Sequence, residues 1–482
     1  MLTGVNLMLR MVSTSFQVYI SGRIGAAGVG LLQLVMSVGM LSMTAGMAGI
    51  RTTTMYLTAE ELGRNRPGNV KWILSGCVFY SILCSGAIAL ALHSFAPAIA
   101  ESWVGDPRTV GAIRLYSCFL PVSCLCGVMT GYFTAANRIG TLAAVEICEQ
   151  LLSMAVTMTV LYIWAGSDPT RACRSVILGS GISSCLTLVL LVILRLKEPV
   201  HHEPRIPVFR RLLNIAVPLG MADDLKSGIS TTENLMVPKR LALYPGTEDP
   251  LAAFGTVCGM VFPILMFPAA ILFALAELLI PELARCAAAG SNKRIRYLVK
   301  QSLRVALLFG CIVCGLEYLL AKELSLALYG SSEAGLYLKR FAVLIPMLYC
   351  DAITDAMTKG LGQQKACVRY NIITSAMDVF FLYLLLPKYG MHGYFISFLI
   401  THLLNFILSL GRLLKITGRV VSAKAVLLTV ISTACAIIAA ATISSPPVRC
   451  IAFLLITICL LVLFKIIGKE DASWIRSLAS GN

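Results

Sequence analysis

The sequence predicts an all-α polytopic membrane protein with about fourteen transmembrane helices, and three observations predict this class. Of the 482 residues, 57% are apolar and only 13% are charged, whereas soluble proteins carry about a quarter charged residues. Apolar runs long enough to cross a bilayer recur from one end of the chain to the other. The basic residues behind the net charge of +16 cluster in short segments between those runs, which is typical of orientation signals and not of nucleic-acid binding.

Each apolar run is an expected helix. The approximate ranges are 2–20, 28–57, 72–97, 109–132, 141–164, 173–195, 210–236, 251–279, 298–321, 336–358, 367–387, 390–411, 421–442 and 447–468. The first run is not followed by a small-residue cleavage site, so we expect a retained helix and not a signal peptide. The connections after even-numbered spans, with the C-terminal tail, carry about 24 Lys and Arg against about 11 on the opposite side. That asymmetry predicts cytoplasmic termini.

A weak internal repeat suggests two halves. Span four runs through LPVSCLCGVMTGYFTAANR into span five, and span ten runs through IPMLYCDAITDAMTKGLGQQK into span eleven. Two pseudo-symmetric halves around a central site are the usual build of a secondary transporter. The expected organisation is an N-terminal lobe over 1–195 (helices one to six), a cytoplasmic linker over 196–209, a C-terminal lobe over 210–411 (helices seven to twelve), and two accessory helices with a tail over 412–482.

The sequence offers no pattern for catalysis or for a bound cofactor. The 17 cysteines lie mostly inside spans, and no loop holds a CxxC pair or a His cluster with zinc spacing. There is no GxxxxGK[ST] nucleotide motif and no nucleophile–base pair. We therefore expect that the protein is not an enzyme and binds no metal and no cofactor. The energy for transport would come from an ion gradient, the membrane potential or mass action.

Polar residues recur at helical spacing inside several spans, and intramembrane charges usually face a bundle interior or a cavity. Span one carries Asn6, Arg10, Ser13 and Gln17, and span seven carries Asp223, Lys226, Ser230 and Glu233 with Asp224 alongside. Span five carries Glu146, Glu149 or Gln150, and Ser153, and span ten carries Asp351, Asp355 and Lys359. Span eleven carries Asn371, Ser375 and Asp378, and span twelve carries His402, Asn405 and Ser409. Spans one and seven each place a cation beside hydrogen-bonding groups, which suits an anionic headgroup.

A structural alternative is open for several of these residues. Arg10 lies near the cytoplasmic end of span one, where its guanidinium group can reach the lipid headgroups. Asp223 and Lys226 are three residues apart and can neutralise each other as a pair. Asp351 and Asp355 lie near the cytoplasmic end of span ten, where partial hydration would stabilise their charges without any functional role.

The longest recognisable stretch is NIAVPLGMADDLKSGISTTENLMVPKRL followed by FGTVCGMVFPILMFPAAILFALAELLIPELAR. It resembles the stage V sporulation protein B family, polysaccharide-export-type membrane proteins of the multidrug/oligosaccharidyl-lipid/polysaccharide superfamily that are similar to lipid II flippases. RMVSTSFQVYISGRIGAAGVGLLQL resembles that family's first helix, TGYFTAANRIGTLAAVEICEQLL its fourth-to-fifth junction, and GLGQQKACVRYNIITSAMDVFFLYLLLPKYGMHGYFISFL its C-terminal half. The resemblance runs over nearly the whole chain.

The resemblance implies a V-shaped bundle that moves an undecaprenyl-diphosphate-linked sugar across the bacterial cytoplasmic membrane by alternating access. The sugar lipid would be a peptidoglycan precursor such as lipid II. A central cavity would lie between helices one, two, seven and eight, with basic residues that take the diphosphate. Arg10 matches the family's first-helix arginine, and Arg23 matches the basic residue in the turn after it. The chain departs from relatives near Gln17, where they commonly carry a second basic residue, and at Arg51, where they often have proline.

These arguments give a set of candidate residues and partners. The expected substrate-binding residues are Asn6, Arg10, Gln17, Arg23, Arg51, Lys226, Glu233 and Asn234, and the candidate ion-coupling carboxylates are Asp223, Asp351, Asp355 and Asp378. The expected partners are the undecaprenyl-linked lipid and membrane lipids, without nucleic acid, and the protein is expected to be a monomer. Spans thirteen and fourteen either form a lipid-facing groove for the polyprenyl tail or serve only as packing helices.

Two other functions remain open on the sequence alone. A cation-coupled multidrug exporter of the same superfamily is one, although fourteen spans and a basic first helix argue against it, because a basic cavity repels cationic drugs. A non-transporting membrane scaffold for cell-wall machinery is the other, although the loops are short for a binding surface.

Overall fold

The structure, a computed structural model, describes residues 2–64, 66–165, 168–197, 208–418, 420 and 422–466, with side chains from residue 11 onward except at 139 and 165. All regular structure in these ranges is helical, which confirms the predicted fold class. The helices are α1 (Leu2–Met47), α2 (Ile50–Gly63), α3 (Asn69–Ser94), α4 (Val110–Ala135), α5 (Ile139–Val160), α6 (Pro169–Leu196), α7 (Phe209–Leu241), α8 (Pro250–Thr256), α9 (Phe262–Met266), α10 (Ala269–Ala288), α11 (Asn292–Tyr329), α12 (Ser332–Ala342), α13 (Ile345–Gly360), α14 (Gln364–Tyr389), α15 (Met391–Thr417), α16 (Ala423–Ala441) and α17 (Pro446–Leu463). Shorter helical turns cover Ala96–Ala98, Ile99–Val104, Pro107–Thr109, Leu161–Ala165 and Val257–Val261.

Within the described ranges, ten helices are long and apolar enough to cross a membrane, or twelve if each of two bent pairs is one span. Two further features bear on the expected fourteen. The 46 residues of α1 would extend about 69 Å, far more than one bilayer requires, and Gly25 breaks the helix with φ 68°. The helix α7 has 33 residues, but it carries too many charged residues to be counted as a membrane span from its composition alone. Fourteen spans therefore stay a prediction.

Proline residues mark the sharp bends. The pair formed by Pro250–Met266 and α10 is bent by 62°, and Pro268 lies at the break. The pair α12 and α13 is bent by 58°, with Pro346 directly after the break. Proline removes a helix hydrogen bond and clashes with the preceding turn, so these kinks follow from the sequence.

The helices form two packed groups. In the first group, α3 and α6 pack on α4, and α5 packs on α6. In the second group, α13 packs between α10, α11 and α15, and α14 packs on α15. The start of α7 belongs physically to the first group, because Val208, Leu212 and Ala216 are buried in the same apolar core as Ile50 and Leu57 of α2. The predicted lobe boundaries stay a prediction, since residues 198–207 lie outside the described ranges.

Small residues hold the two groups in close contact. Gly49 and Ala48 at the end of α1 meet α7 so closely that a Cβ atom on Gly220 would lie 2.8 Å from the Ala48 carbonyl carbon. At the other end of the contact, a Cβ on Gly255 of α8 would overlap the Ala26 carbonyl oxygen. Side chains larger than hydrogen do not fit at such helix crossings. We call this contact between residues 26–49 and the helices α7 and α8 the glycine seam.

Beside the seam, an ion cluster ties the start of α7 to the end of α2. The Arg211 guanidinium group donates to Glu60 at 2.8 Å and to Glu61 at 3.0 Å. Arg64 also pairs with Glu60 at 2.7 Å, and the Asn69 amide donates to Glu61 at 2.9 Å. Glu61 is 2% exposed, so its carboxylate depends on these partners for compensation.

The glycine seam predicts a position-specific effect of a single methyl group. Gly220→Ala places its Cβ against the Ala48 backbone, and forcing the helices apart is expected to cost about 1–3 kcal/mol. Gly228 lies on the same helix, and a Cβ added there would have no neighbouring atom within 4 Å, so Gly228→Ala is the matched control. Thermal melting of the two purified variants checks this. A Gly220→Ala protein that melts at the wild-type temperature would contradict the seam's role.

Candidate functional site

Two carboxyl groups meet inside the second helix group. Glu233 of α7 lies close enough to Asp378 of α14 for their charges to interact. Asp378 is buried and accepts hydrogen bonds from the hydroxyls of Ser397 at 2.6 Å and Thr401 at 3.0 Å, both on α15. Two ionised carboxylates at close range repel each other, so a cation or a proton between them lowers the free energy of the site. We call these four residues the carboxyl pair site.

The donor set of this site suits a small hard cation or a proton. It offers carboxylate and hydroxyl oxygens, and the described residues contain no group of three or more His, Cys, Asp or Glu that would favour a transition metal. Cys258 and Tyr394 lie next to it, with their sulfur and hydroxyl oxygen 3.9 Å apart. The site can therefore bind and release one positive charge inside the membrane.

The residue after Glu233 faces the other helix group. The Asn234 amide donates to the Ser37 hydroxyl of α1 at 3.0 Å, and the Thr231 hydroxyl donates to the Ser37 carbonyl oxygen at 3.0 Å. Neighbouring residues of α7 thus contact a potential ion site on one side and the glycine seam on the other. A change in the charge of Glu233 can therefore affect the contact between the two groups.

A cavity of about 320 Å³ lies within the first group, between α1–α2, α4, α5 and α6. We call it the N-terminal cavity. Its charged lining residues are Arg51, Glu146 and Glu149. Glu149 accepts a hydrogen bond from the Ser184 hydroxyl at 3.0 Å, whereas Arg51 and Glu146 are exposed to the open space.

A groove of about 700 Å³ lies between the second group and α16, one of the last two helices. Its body is apolar, with Leu303, Leu307, Phe406 and Leu428 among the lining residues. The basic lining residues are Lys300, Arg304, Lys424 and Lys465. Lys300 lies in the first turns of α11, Lys424 in the first turn of α16 and Lys465 just after α17, and the back-and-forth path of the chain puts these three ends on one side. We call this feature the basic-mouthed groove.

The residues predicted in and after the first span differ in what the structure shows of them. The side chains of Asn6 and Arg10 lie outside the described residues. The Gln17 amide donates to the Gly259 carbonyl oxygen at 3.3 Å, across the contact between α1 and the turn after α8. Arg23 is exposed and lies over the Tyr19 ring at 5.7 Å. Their expected role in a central cavity stays a prediction.

The other predicted residues lie in distinct surroundings. Asp223 and Lys226 are both exposed, and no ion pair joins them in the described part of the chain. Asp351 accepts a hydrogen bond from the Asn405 amide at 3.1 Å. Asp355 pairs with Lys359 at 2.6 Å. Of the four candidate ion-coupling carboxylates, only Asp378 is fully buried.

Sequence reasoning missed Ser397 and Thr401. Hydroxyl residues are common in membrane helices, so neither stands out alone. The signal that would have found them is spacing, because Ser397, Thr401, Asn405 and Ser409 recur every fourth residue on α15 and are all buried. Arg51 lies in the wall of the N-terminal cavity, and its expected role in binding the substrate stays a prediction.

Comparison with known proteins fits this arrangement. The MatE family model matches residues 3–161. Stage V sporulation protein B of Bacillus subtilis (strain 168) is 23% identical over 409 residues, which cover 81% of this chain and 78% of that protein. Among solved structures, the lipid II flippase MurJ in an inward closed conformation aligns with a TM-score of 0.71 and 12% identity over 96% of this chain and 98% of its own. An inward-facing multidrug resistance MATE family transporter aligns with a TM-score of 0.69 and 13% identity over 86% of this chain and all of its own.

The fold and the relatives together define the class. The chain is a multi-pass membrane protein, and its fold is the one seen in the MATE transporter and the lipid II flippase structures. The resemblance to stage V sporulation protein B that the sequence predicts is confirmed as a similarity over most of the chain.

The carboxyl pair site predicts cation binding. In wild-type protein, Na⁺ or mild acidification is expected to raise the melting temperature, because either one removes the repulsion between Glu233 and Asp378. Asp378→Asn is expected to abolish that response. Glu248→Gln is the comparison variant, since Glu248 is an exposed carboxylate in the loop before α8 and should leave the response intact. Melting curves with Na⁺ replaced by choline at constant ionic strength check this, and equal loss in both variants would rule out a specific pair site.

Proposed function

We propose that this protein flips an undecaprenyl-diphosphate-linked oligosaccharide, a peptidoglycan precursor such as lipid II, across the bacterial cytoplasmic membrane by alternating access. Cation binding at the carboxyl pair site drives the cycle. Both termini lie in the cytoplasm, and the protein acts as a monomer. The observation that carries the proposal is the basic-mouthed groove.

The groove has the two chemical features that such a lipid requires. A polyprenyl tail of about fifty carbons cannot enter a polar cavity, since each buried methylene is worth about 0.8 kcal/mol of apolar contact. The apolar walls of α11, α15 and α16 supply that contact, and Lys300, Lys424 and Lys465 supply positive charge where a diphosphate would approach.

The extent of the structural likeness supports a lipid substrate over a drug. The lipid II flippase structure covers 96% of this chain and the multidrug transporter covers 86%. The difference is about a tenth of the chain, comparable in size with the last two helices. A compact drug has no use for a separate apolar groove, whereas a long lipid does.

Arg10 supplies the most specific test of headgroup binding. We expect Arg10→Ala to abolish complementation of a flippase-deficient strain while the protein still inserts and accumulates, because the diphosphate loses its guanidinium partner. Arg10→Lys should recover part of the function, since it restores the charge without the fork. Membrane levels checked by blotting are the control. Full rescue by the alanine variant would count against an anion-binding role.

The groove predicts a chain-length effect. Ala425→Trp should fill the groove and slow the flipping of a full-length undecaprenyl lipid about tenfold or more, with little effect on a short-chain analogue. Ala434→Trp is the matched control, because Ala434 lies on the same helix, is exposed and does not line the groove. Outer-leaflet accessibility of each lipid in reconstituted vesicles measures the rates. Equal slowing of both lipids would exclude the groove as the tail site, and dye uptake into inverted vesicles would favour a drug exporter.

A further inference from the structure

The last turn of α7 carries two adjacent basic residues, Lys239 and Arg240, which contact different helix groups. The Arg240 guanidinium group donates two hydrogen bonds to the Tyr383 carbonyl oxygen of α14, at 2.9 and 3.2 Å, and lies 3.7 Å from the centroid of the Tyr383 ring. Pro387 stands four residues later in α14 and has no N–H group, so the Tyr383 carbonyl lacks its usual helix partner. Arg240 supplies that partner and fixes the end of α7 to the second group.

The loop after α7 strengthens this attachment. The ring of Tyr244 packs on Gly390, in the turn between α14 and α15, so closely that a Cβ atom added to Gly390 would lie 2.7 Å from it. A turn packed this tightly has little room to move relative to the ring. The end of α7 and the loop that follows it therefore belong with the second group.

Lys239 reaches the first group instead. Its ammonium group donates to the Ser102 carbonyl oxygen in the helical turn Ile99–Val104, which lies between α3 and α4. The first two N–H groups after that turn both bond the carbonyl oxygen of Ala100, and Pro107 has no N–H group to offer. The Ser102 carbonyl is thereby left without a main-chain partner, and Lys239 caps it as basic side chains commonly cap free carbonyls at helix ends.

The two contacts differ in how easily they separate. Arg240 combines a fork of two hydrogen bonds with stacking on a ring, whereas Lys239 is a flexible point charge that makes one hydrogen bond among the described residues. Lys239 is exposed, so water can replace the Ser102 carbonyl as its partner at little cost in free energy. Earlier on α7, the same two groups meet at Ser37. Lys239 therefore lies beyond that contact, toward the C-terminal end of the helix.

We propose that Lys239 is the clasp of a gate between the two helix groups at the end of α7. With its bond to Ser102 formed, the groups are closed at that end, as in this structure. When the bond breaks, Arg240 keeps α7 on the second group, the first group moves away, and water enters behind the clasp. The inference deepens the proposed function and rests on its alternating access, and the predicted topology puts this gate on the outer face of the membrane.

Solvent access to a residue behind the clasp tests this gate without a transport assay. The reporter is Ser37→Cys, because Ser37 is 8% exposed and lies in the contact between the groups. A membrane-impermeant maleimide is added to right-side-out or to inside-out vesicles, and peptide mapping reads the reaction at position 37 separately from the native cysteines. Adding Lys239→Gln to the reporter should raise the reaction rate about three- to tenfold from the face at which α7 ends, because one hydrogen bond shifts a population by roughly that factor.

Two further variants separate the clasp from a general loosening of the fold. Lys239→Arg keeps a donor at the same place and should react at the rate of the reporter alone. Arg210→Gln removes an exposed cation near the opposite end of the same helix and should also leave the rate unchanged. An unchanged rate in Lys239→Gln, or an equal rise from both faces of the membrane, overturns the proposal. If the wild-type protein flips no undecaprenyl lipid, the proposed function fails, and the labelling rates still decide whether Lys239 closes a gate.

Discussion

The close backbone contact along the glycine seam is the constraint on which the rest of the structure depends. Gly49 and Gly220 let α1 and α7 approach until main-chain atoms touch, and Gly255 does the same for α8. Lipid tails are as apolar as side chains, so helices in a membrane associate through packing and polar contacts and not through the exclusion of water. A contact made of backbone atoms has little side-chain freedom to adapt. In this conformation the two helix groups therefore meet in a defined register, which sets the positions of the sites on either side of the seam.

The helix α7 connects the separate polar features. Its first turns hold Arg211 against Glu60 and Glu61, its middle contains the glycine contact, and its later turns place Glu233 against Asp378 and Asn234 against Ser37. An ion that neutralises the carboxyl pair thus acts on the same helix that carries the contact between the groups. Coupling of ion binding to lobe movement requires an element that responds both to the ion site and to the contact between the lobes. The helix α7 contacts both the carboxyl pair site and the other helix group.

The fold was predictable because membrane crossing imposes a simple rule on length and apolarity. Helix ranges, the bend at Pro268 and the all-helical class follow from that rule and from proline chemistry. The site was less predictable, because a stripe of polar residues gives the face of a helix but not the neighbour it meets. Glu233 and Asn234 are adjacent in sequence, yet they face different helix groups. Arg51 follows the left-handed turn at Ala48 and Gly49, and this change of direction puts it in the wall of the N-terminal cavity. The role of Ser397 and Thr401 as hydrogen-bond donors becomes visible only when the fold packs Asp378 against them.

Under the proposed function, the positions of the groove and the N-terminal cavity favour an extended amphipathic substrate. The basic-mouthed groove lies at one edge of the second group, the N-terminal cavity lies inside the first, and the glycine seam separates them. A compact ligand can occupy only one of these places, and charges at the others would then cost free energy without a purpose. A lipid with a long tail and a charged headgroup offers a chemically different part to each. Under the proposed function, both helix groups therefore contribute to substrate recognition. Relative movement of the groups must then change the affinity for the substrate.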